Sequence, residues 1–347
     1  MPSSANMALQ EGFFSHWQSN GEDIWDHWLQ AVDEFRAALA ALFNASAASF
    51  CPQSNLSSGL TKVVQSLQPE GTKRKILMSE ADFPSAGFVL QQAEKLGFEL
   101  VILPNSADLQ DPEVWREAMN DEVHSVFITH VHYRTSVRTP VAEICRVARE
   151  RGIMSMVDVA QSTGVVPIDL TEWQPDVVVG SCIKWLCGGP GAGFLWVAPQ
   201  RIKQLQPADV GWFSHQNPFE FDIHHFAYAD DSARFWGGTP SVMPYVVAAN
   251  SVRLLHGVGI DTVQQHNQSL LERLAVSLDP STIVSPPASR PRGGTLVVNP
   301  SQREAAEQRL REAGVQFDAR ALGIRLSPHI YNSEAEIDLV ADCLKST

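Results

Sequence analysis

Asp158 and Lys184 are the residues of this chain whose types and settings point most directly to chemistry. Asp158 ends an apolar run that begins at Met154, and Lys184 follows a second apolar run at 177–179. Short apolar runs without alternation are typical of strands that are covered on both faces in an α/β sheet. The carboxyl ends of such strands carry the working groups of the fold. We therefore expect Asp158 and Lys184 to lie close together.

A lysine beside an acid, followed by a glycine-rich turn at 188–193, is typical of a site for pyridoxal 5'-phosphate. The lysine amine binds the aldehyde carbon of this cofactor, and the acid keeps its ring nitrogen protonated. Taken alone, Asp158 is better explained by a turn cap and Lys184 by a surface position. The two together, with Ser181 before the lysine and glycines after it, favour the cofactor.

Two other segments have residues that suit the same cofactor. Asn55, Ser57 and Ser58 lie at the N-terminus of a helix that we expect to begin near Ser57 or Ser58. A helix N-terminus favours an anion such as phosphate. An ordinary N-cap is the alternative explanation of these residues. Phe83 precedes a proline at the end of a predicted strand, where an aromatic side chain is able to cover a flat ring. A place in the core is the alternative for Phe83.

Arg325 lies inside an apolar strand, between Ile324 and Leu326. A guanidinium in such a position needs an anionic partner, and the planar fork of arginine matches a carboxylate. His130, at the end of another predicted strand, is explained equally well by a site residue or by a hydrogen-bonded histidine of the core.

Composition limits the classes of partner. The chain has 347 residues, with 26 Lys and Arg against 39 Asp and Glu, a formal net charge of −13. This balance argues against nucleic acid or an anionic membrane as partner. The five cysteines are odd in number and scattered, so we predict reduced thiols and no metal site. The N-terminus lacks the pattern of a signal peptide and no apolar run reaches membrane-spanning length, so we predict a cytoplasmic protein.

Helical and strand patterns alternate between residues 57 and 197, which indicates a doubly wound, mostly parallel α/β sheet. Residues 1–20 are predicted to be irregular and 45–58 to form a loop. We predict strands at 75–79, 99–103, 125–129, 154–158, 177–179, 194–197, 295–299 and 324–327, and helices at 23–43, 86–96, 111–119, 141–151, 242–257, 261–278, 302–313 and 333–343. The expected organisation is an N-terminal helical segment (1–50), a large domain (51–245) and a small α/β C-terminal domain (246–347).

Three motifs, found in the same order as in a known family, then make a resemblance specific. They are Phe83-Pro84-Ser85; Gly211-Trp212-Phe213-Ser214-His215; and Asp318-Ala319-Arg320 with Gly323-Ile324-Arg325-Leu326, Pro328 and Tyr331-Asn332. With the segment around Lys184, they make the chain similar to kynureninases, which are fold-type I pyridoxal phosphate enzymes of the class V aminotransferase group. The resemblance runs from about Ser54 to Asn332.

The resemblance implies a role for each matching residue. Lys184 and Asp158 would be catalytic, and Arg325 would bind the α-carboxylate of an amino-acid substrate. Trp212 and Trp236 would also bind the substrate, as walls of a side-chain pocket that favours a flat or aryl group. The cofactor-binding residues that it implies are Leu56, Ser57, Phe83, Ser85, Asp158, Gln161, Ser181, Lys184, Trp212 and Thr239. It also implies a homodimer, because a threonine at the place of Thr239 reaches the phosphate in the neighbouring subunit.

Three departures from the family pattern leave the reaction open. Ile183 stands where kynureninases have a tyrosine, Gln161 where they have a histidine, and Ala86 where they have an aspartate. Our first prediction is a kynureninase-like hydrolase that cleaves Cβ–Cγ. The alternatives are a class V aminotransferase or β-lyase acting on another amino acid, or a protein of this fold without catalysis. A cysteine desulfurase is disfavoured because 321–323 contains no cysteine, and a nicotinamide dehydrogenase because its glycine motif is missing.

Overall fold

The computed structural model describes residues 1–19 and 23–345. Its strands are β1 (Phe50–Gln53), β2 (Lys75–Ser79), β3 (Glu99–Leu103), β4 (Val123–Thr129), β5 (Met154–Asp158), β6 (Val177–Ser181), β7 (Gly193–Val197), β8 (Leu296–Val298), β9 (Asp318–Arg320) and β10 (Gly323–Leu326). The first seven form one sheet in the order β1-β7-β6-β5-β4-β2-β3. The pairs from β3 to β6 are parallel, and β7 is antiparallel to both β6 and β1. The predicted α/β class with a mostly parallel sheet is confirmed.

Helices cover both faces of this sheet and one face of a second, smaller sheet. They are α1 (Ala5–Leu9), α2 (Ser15–Gln18), α3 (Ile24–Phe43), α4 (Leu56–Gln65), α5 (Pro84–Gln91), α6 (Pro112–Ala118), α7 (Val141–Glu150), α8 (Leu170–Trp173), α9 (Pro199–Ile202), α10 (Met243–Val258), α11 (Ile260–Val276), α12 (Arg303–Glu312) and α13 (Glu334–Leu344). Strand β6 shows why its sequence lacks alternation: Val178 packs into the core that contains α3, α7 and α10, whereas Val177 and Val179 pack into the core that contains α4 and α5. Apolar residues are therefore needed at every position of the strand.

A second, three-stranded antiparallel sheet has the order β8-β10-β9. Its apolar face packs on α11, α12 and α13 in a separate cluster of buried residues. Helix α10 packs instead on α3, with Phe35 and Tyr245 stacked at 5.1 Å between ring centroids. The boundary that we placed after residue 245 therefore falls inside α10. The division into an N-terminal segment and two domains stays a proposal.

Three predictions about secondary structure are corrected. Residues 1–20 are not irregular, because α1, a π-helical turn (Gln10–Phe14) and α2 follow one another there, although residue 20 lies outside the described part. The predicted loop at 45–58 contains β1, whose Pro52 and short length hide the strand pattern. Helix α4 begins at Leu56 rather than at Ser57 or Ser58, because the Asn55 side chain caps it by accepting the Ser58 N–H at 2.9 Å.

The described helices include none that is both long and apolar enough to cross a membrane.

Candidate functional site

The N-terminus of α4 faces the carboxyl end of the large sheet because β1 and β7 pair directly before it. Gln53 at the end of β1 is paired with Gly193 at the start of β7. A Cβ at Gly193 would lie 2.8 Å from the backbone of Asn55, so only glycine allows this close approach. The amides of Leu56 and Ser57 fall in the first turn of α4, where N–H groups have no acceptor within the helix. This end of α4 is therefore suited to an anion.

Asp158 ends β5 at the same edge and is buried. Its carboxylate accepts the Ala160 N–H at 2.7 Å. Burial raises the pKa of this carboxyl above its usual range, although the Ala160 N–H and the charge of Lys184 oppose the shift. A buried carboxylate is stabilised by a cation placed beside it, so a positively charged partner would stabilise the charged form of Asp158.

Lys184 follows β6 in a loop that is closed by backbone hydrogen bonds, Cys182 N–H to Ala192 O at 2.9 Å and Gly188 N–H to Cys182 O at 2.7 Å. Its side chain is exposed to solvent within a cavity, while the surrounding protein still partly desolvates the amine. Burial lowers the pKa of the amine, Asp158 opposes this, and Arg325 adds to it. A lowered pKa increases the neutral fraction of the amine, which is the form that acts as a nucleophile or takes up a proton. The sequence analysis expects Lys184 and Asp158 to lie close together, and each of the two charges affects the pKa of the other group, as such proximity requires.

Two cavities meet at Lys184. The first, which we call the cofactor cavity, measures about 220 Å³ and extends from α4 to Asp158. The second, the substrate cavity, measures about 560 Å³ and extends from Lys184 to β9 and β10. Both are lined by Phe83, Tyr133, Gln161 and Lys184. The Lys184 Nζ lies 5.8 Å from the centroid of the Phe83 ring, and this ring is 45% exposed because it faces the cavities.

The structure brings most of the residues that the sequence singled out to the cofactor cavity. Its walls include Leu56, Ser57, Phe83, Ser85, Asp158, Gln161, Ser181 and Lys184. Ile183, in the place of the family's tyrosine, also lines this cavity and is 52% exposed. An apolar side chain is therefore presented where a hydroxyl would be expected.

The other candidates from the sequence lie elsewhere in the single chain. Trp212 donates from Nε1 to the Thr239 hydroxyl at 3.3 Å and lines a third cavity of about 390 Å³. Trp236 packs against Phe213, with ring centroids 5.1 Å apart. The walls of the cofactor and substrate cavities do not include Trp212, Trp236 or Thr239 among the described residues. Their roles stay predictions, and the role predicted for Thr239 is in the site of a second subunit.

Arg325 lies on the wall of the substrate cavity, on β10. Its NH1 donates to Asp318 Oδ2 at 2.8 Å, and Arg320 donates to the same oxygen at 2.9 Å. The Arg325 Nε is buried and has no hydrogen-bond partner within the described part of the chain. One N–H of the guanidinium is thus held in place by Asp318, while another still needs an acceptor.

The sequence analysis assigned no role in the site to several residues that line the substrate cavity, namely Trp185, Cys187, Thr295, His329 and Tyr331. The loop directly after Lys184 and the segment after β10 supply most of them, so their signal was position next to a predicted site residue. Tyr133, from the polar segment after β4, lines both cavities. His130 from the same segment does not. Its Nε2 accepts from Arg138 at 3.3 Å, its ring packs on Trp173, and burial lowers its pKa well below the usual range.

One group of residues outside these cavities has the chemistry of metal ligands: His215, Glu220 and His225. The Asn217 N–H donates to His215 Nδ1 at 2.9 Å, which leaves Nε2 to donate to the His225 carbonyl at 3.1 Å. Glu220 pairs with His225 at 2.9 Å. These contacts within the loop account for the cluster without an ion.

The side chains of the cofactor cavity fit pyridoxal 5'-phosphate. The amine of Lys184 suits its aldehyde, the buried carboxylate of Asp158 suits a protonated ring nitrogen, and the face of Phe83 suits its aromatic ring. The free amides at the start of α4, with the nearby hydroxyls of Ser57 and Ser85, suit its phosphate. The aldehyde, the ring nitrogen, the ring face and the phosphate of the cofactor thus each have a matching group on the wall.

Comparison with known proteins gives the same family over most of the chain. The family model described as "Aminotransferase class-V" matches residues 6–340. The chain is similar to an uncharacterised aminotransferase, YcbU, of Bacillus subtilis, with 26% identity over 315 residues, 90% of this chain and 83% of that protein. It is also similar to a kynureninase of Deinococcus radiodurans, with 28% identity over 313 residues, 88% of this chain and 74% of that protein.

Among solved structures, a variant of the cystine C-S lyase C-DES superimposes with a TM-score of 0.87 and 22% identity, over 99% of this chain and 93% of that one. In that structure a glycine is covalently linked to the pyridoxal phosphate cofactor. At this identity the likeness shows the fold, and it agrees with the predicted fold type.

Proposed function

The chain belongs to the aminotransferase class-V family and is a pyridoxal 5'-phosphate-dependent enzyme, and from this premise we propose that it acts on an α-amino acid, with Cβ–Cγ hydrolysis of kynurenine-like substrates as the first candidate reaction. The observation that carries the proposal is the pair of adjoining cavities, which share Lys184 on their walls, while Arg325 lines the substrate cavity. An amino acid is recognised by its amine and its carboxylate, and these two residues match those two groups.

The cofactor is assigned to the cofactor cavity, held by Lys184 through its amine, by Asp158 at the ring nitrogen and by Phe83 against the ring. The phosphate is assigned to the amides of Leu56 and Ser57, with Ser85, Gln161 and Ser181 as further polar groups on the same wall. When bound, the cofactor withdraws electrons from the α-carbon of the substrate. The negative charge of Asp158 supports this because it favours the protonated ring.

Arg325 is assigned to the substrate carboxylate. Its contact with Asp318 fixes the guanidinium on the wall of the substrate cavity, and this single bond from NH1 leaves further N–H groups for an incoming carboxylate. A carboxylate that accepts from two N–H groups of one guanidinium is held in a defined orientation. The α-carbon is thereby placed between Arg325 and the amine of Lys184.

Lys184 is the group assigned to move the α-proton, since burial lowers the pKa of its amine. Ile183 is not able to assist, because it has no hydroxyl. Tyr133 is the phenol on the walls of both cavities, and its oxygen accepts from Arg134 at 2.8 Å, so its own proton stays available to a substrate oxygen. General acid–base assistance of this kind contributes about 10²–10⁴-fold to rate. We therefore expect kynurenine hydrolysis to be slow unless Tyr133 replaces the missing tyrosine.

Transamination or β-elimination on another amino acid is the second candidate. Ile183 favours it, because a reaction that needs less proton transfer at the side chain depends less on the missing hydroxyl. Similarity to YcbU, named as an aminotransferase, also supports it. A protein of this fold without catalysis has no support from the family match.

The test is to mix the holoenzyme with L-kynurenine, 3-hydroxykynurenine, cysteine sulfinate and the common amino acids, and to identify the products. Formation of alanine with anthranilate is the expected result for the first candidate. A keto acid formed with the pyridoxamine form of the cofactor would replace it with transamination. No reaction with any amino acid would overturn the proposal as a whole.

A homodimer with composite sites is proposed for the same enzyme. Thr239 is exposed and accepts a hydrogen bond from Trp212. Phe219 and Phe221, which pack against Trp212, are 49% and 73% exposed. They form an apolar surface that a second subunit would cover. Sedimentation should give a dimer, and Thr239→Ala should lower cofactor affinity without changing the mass. A monomer that binds the cofactor with full affinity at high dilution would refute the proposal.

A cytoplasmic location is also proposed. All five cysteines are free thiols, and four of them are buried. Free thiols of this kind are typical of a reducing compartment. Fractionation of the native host would test the assignment.

A further inference from the structure

Three aromatic side chains on the wall of the substrate cavity form a layered stack. The Trp185 and His329 rings are 5.7 Å apart between centroids and tilted by 22°, and the His329 and Tyr331 rings are 4.8 Å apart and tilted by 14°. Trp185 follows Lys184 directly in sequence, while His329 and Tyr331 follow β10, which carries Arg325. The stack is thus built from the same two segments that supply the proposed amine-binding and carboxylate-binding groups.

The middle ring of the stack is fixed at both of its nitrogens. The Ile330 N–H donates to His329 Nδ1 at 2.9 Å, so Nε2 carries the proton and donates to the Trp185 carbonyl at 2.8 Å. Burial lowers the pKa of His329, which agrees with a neutral ring. His329 is therefore not free to exchange a proton with a substrate, and its contribution is to hold the stack in place.

Tyr331 is the outer layer of the stack and is 73% exposed. One of its faces lies on His329, so its open face is the one that borders the substrate cavity. An exposed aromatic ring at the end of a fixed stack offers a flat, apolar surface to another flat ring. Phe83 and Phe317, elsewhere on the cavity wall, add apolar surface to the same space.

We propose that Tyr331, supported by His329 and Trp185, is the residue that selects amino acids with a flat, unsaturated side chain, which stacks on it as a fourth layer. The inference rests on the proposed function, because it takes the amine at Lys184 and the carboxylate at Arg325 as the other two anchors. It differs from the sequence prediction, which gave this role to Trp212 and Trp236.

The first test is a binding measurement on the holoenzyme. The change of the cofactor's visible band reports the dissociation constants of L-phenylalanine and L-alanine. Tyr331→Ala should reduce the preference for L-phenylalanine by about 3- to 10-fold, the range expected for one aromatic pair. Tyr331→Phe keeps the ring and should keep the preference. Phe88→Ala is the matched control, since Phe88 is 64% exposed and lies on the wall of neither cavity.

The second test uses Cys187, which lines the substrate cavity and is the cysteine of the five that is not fully buried. L-phenylalanine should slow the alkylation of Cys187 by a maleimide in the wild type and in Tyr331→Phe. At the same concentration it should slow this reaction much less in Tyr331→Ala. This readout requires no turnover. Circular dichroism and the cofactor band identify a variant that has failed to fold.

The outcomes separate the two proposals. If none of the amino acids of the product screen, L-phenylalanine and L-alanine included, changes the cofactor band or protects Cys187, the proposed function has failed. If others bind and L-phenylalanine does not, the role of Tyr331 is refuted. If both amino acids bind and the preference is unchanged in Tyr331→Ala, the role of Tyr331 is refuted and the proposed function stands.

Discussion

Replacing Arg325 by lysine tests how the chain recognises an amino acid. Lysine keeps the positive charge but loses the planar fork, so the contact with Asp318 and the contact with a substrate oxygen compete for one ammonium group. A hydrogen bond to a charged group contributes about 1.5–3 kcal/mol. Loss of one such bond to the carboxylate should lower kcat/KM by about 10- to 150-fold, since about 1.4 kcal/mol corresponds to a factor of ten.

The assay is steady-state turnover of the best substrate found by the product screen, together with the same measurement on its decarboxylated amine. The carboxylate-free amine should show almost no difference between wild type and Arg325→Lys, because the lost contact is absent from it. Arg311→Lys is the control, as Arg311 is exposed and pairs with Glu307 on the surface of α12. If Arg325→Lys folds, binds the cofactor and stays within about threefold of wild type on the amino acid, Arg325 does not hold the carboxylate.

Three further predictions concern the cofactor cavity and its surroundings. Asp158→Asn should weaken cofactor binding by about 3–5 kcal/mol, as measured by titration, because a buried charge pair loses one partner, and an unchanged affinity would contradict the role of Asp158. Gly193→Ala should cost about 1–3 kcal/mol of cofactor affinity or unfolding free energy, since its Cβ would lie 2.8 Å from the Asn55 backbone. Gly257→Ala, in α10 and with nothing within 4 Å, should be neutral or slightly stabilising. Burial raises the pKa of Asp82 to about 7, so the folded state keeps a proton there that the unfolded state has lost. The contribution of Asp82 to the free energy of unfolding therefore falls as the pH rises from the ordinary carboxyl range to about 7. Asp82→Asn should remove this part of the pH dependence in thermal unfolding at pH 4–8; an identical slope in the two proteins would count against it.

The sequence predicts the central sheet well because its strands are marked locally. Runs such as β5 and β6 are apolar at every position, since both faces of the sheet are covered, and the chemistry-bearing side chains follow at the strand ends. Asp158 ends β5 and Lys184 follows β6, and these two strands pair directly, so their proximity follows from two short segments and one rule of topology.

The same reasoning fails where structure depends on distant partners. Strand β1 contains Pro52 and has only four residues, and it exists because β7 pairs with it at the edge of the sheet. Strand β9, with Asp318 and Arg320, is charged and is stabilised by pairing with β10. Neither strand has a pattern of its own to be recognised.

The walls of the substrate cavity show the limit for the site. The aromatic residues around Trp212 attract notice because they are crowded in sequence, yet in the single chain they line a different cavity. Trp185 and Tyr331 are far apart in sequence and come together through the packing of the second sheet against the loop after β6. A local pattern identifies residue types that suit a substrate, whereas their place relative to Lys184 depends on the whole fold.

The most direct test of the account is to reduce the holoenzyme with borohydride and to map the modified peptide by mass spectrometry. The account predicts that the cofactor becomes fixed to Lys184 and that Lys184→Ala loses both the modified peptide and the visible band of the bound cofactor. Lys203→Ala, which removes an exposed lysine paired with Asp230, should leave both unchanged. A cofactor fixed to another lysine, or an unaltered band in Lys184→Ala, would contradict the assignment of the site.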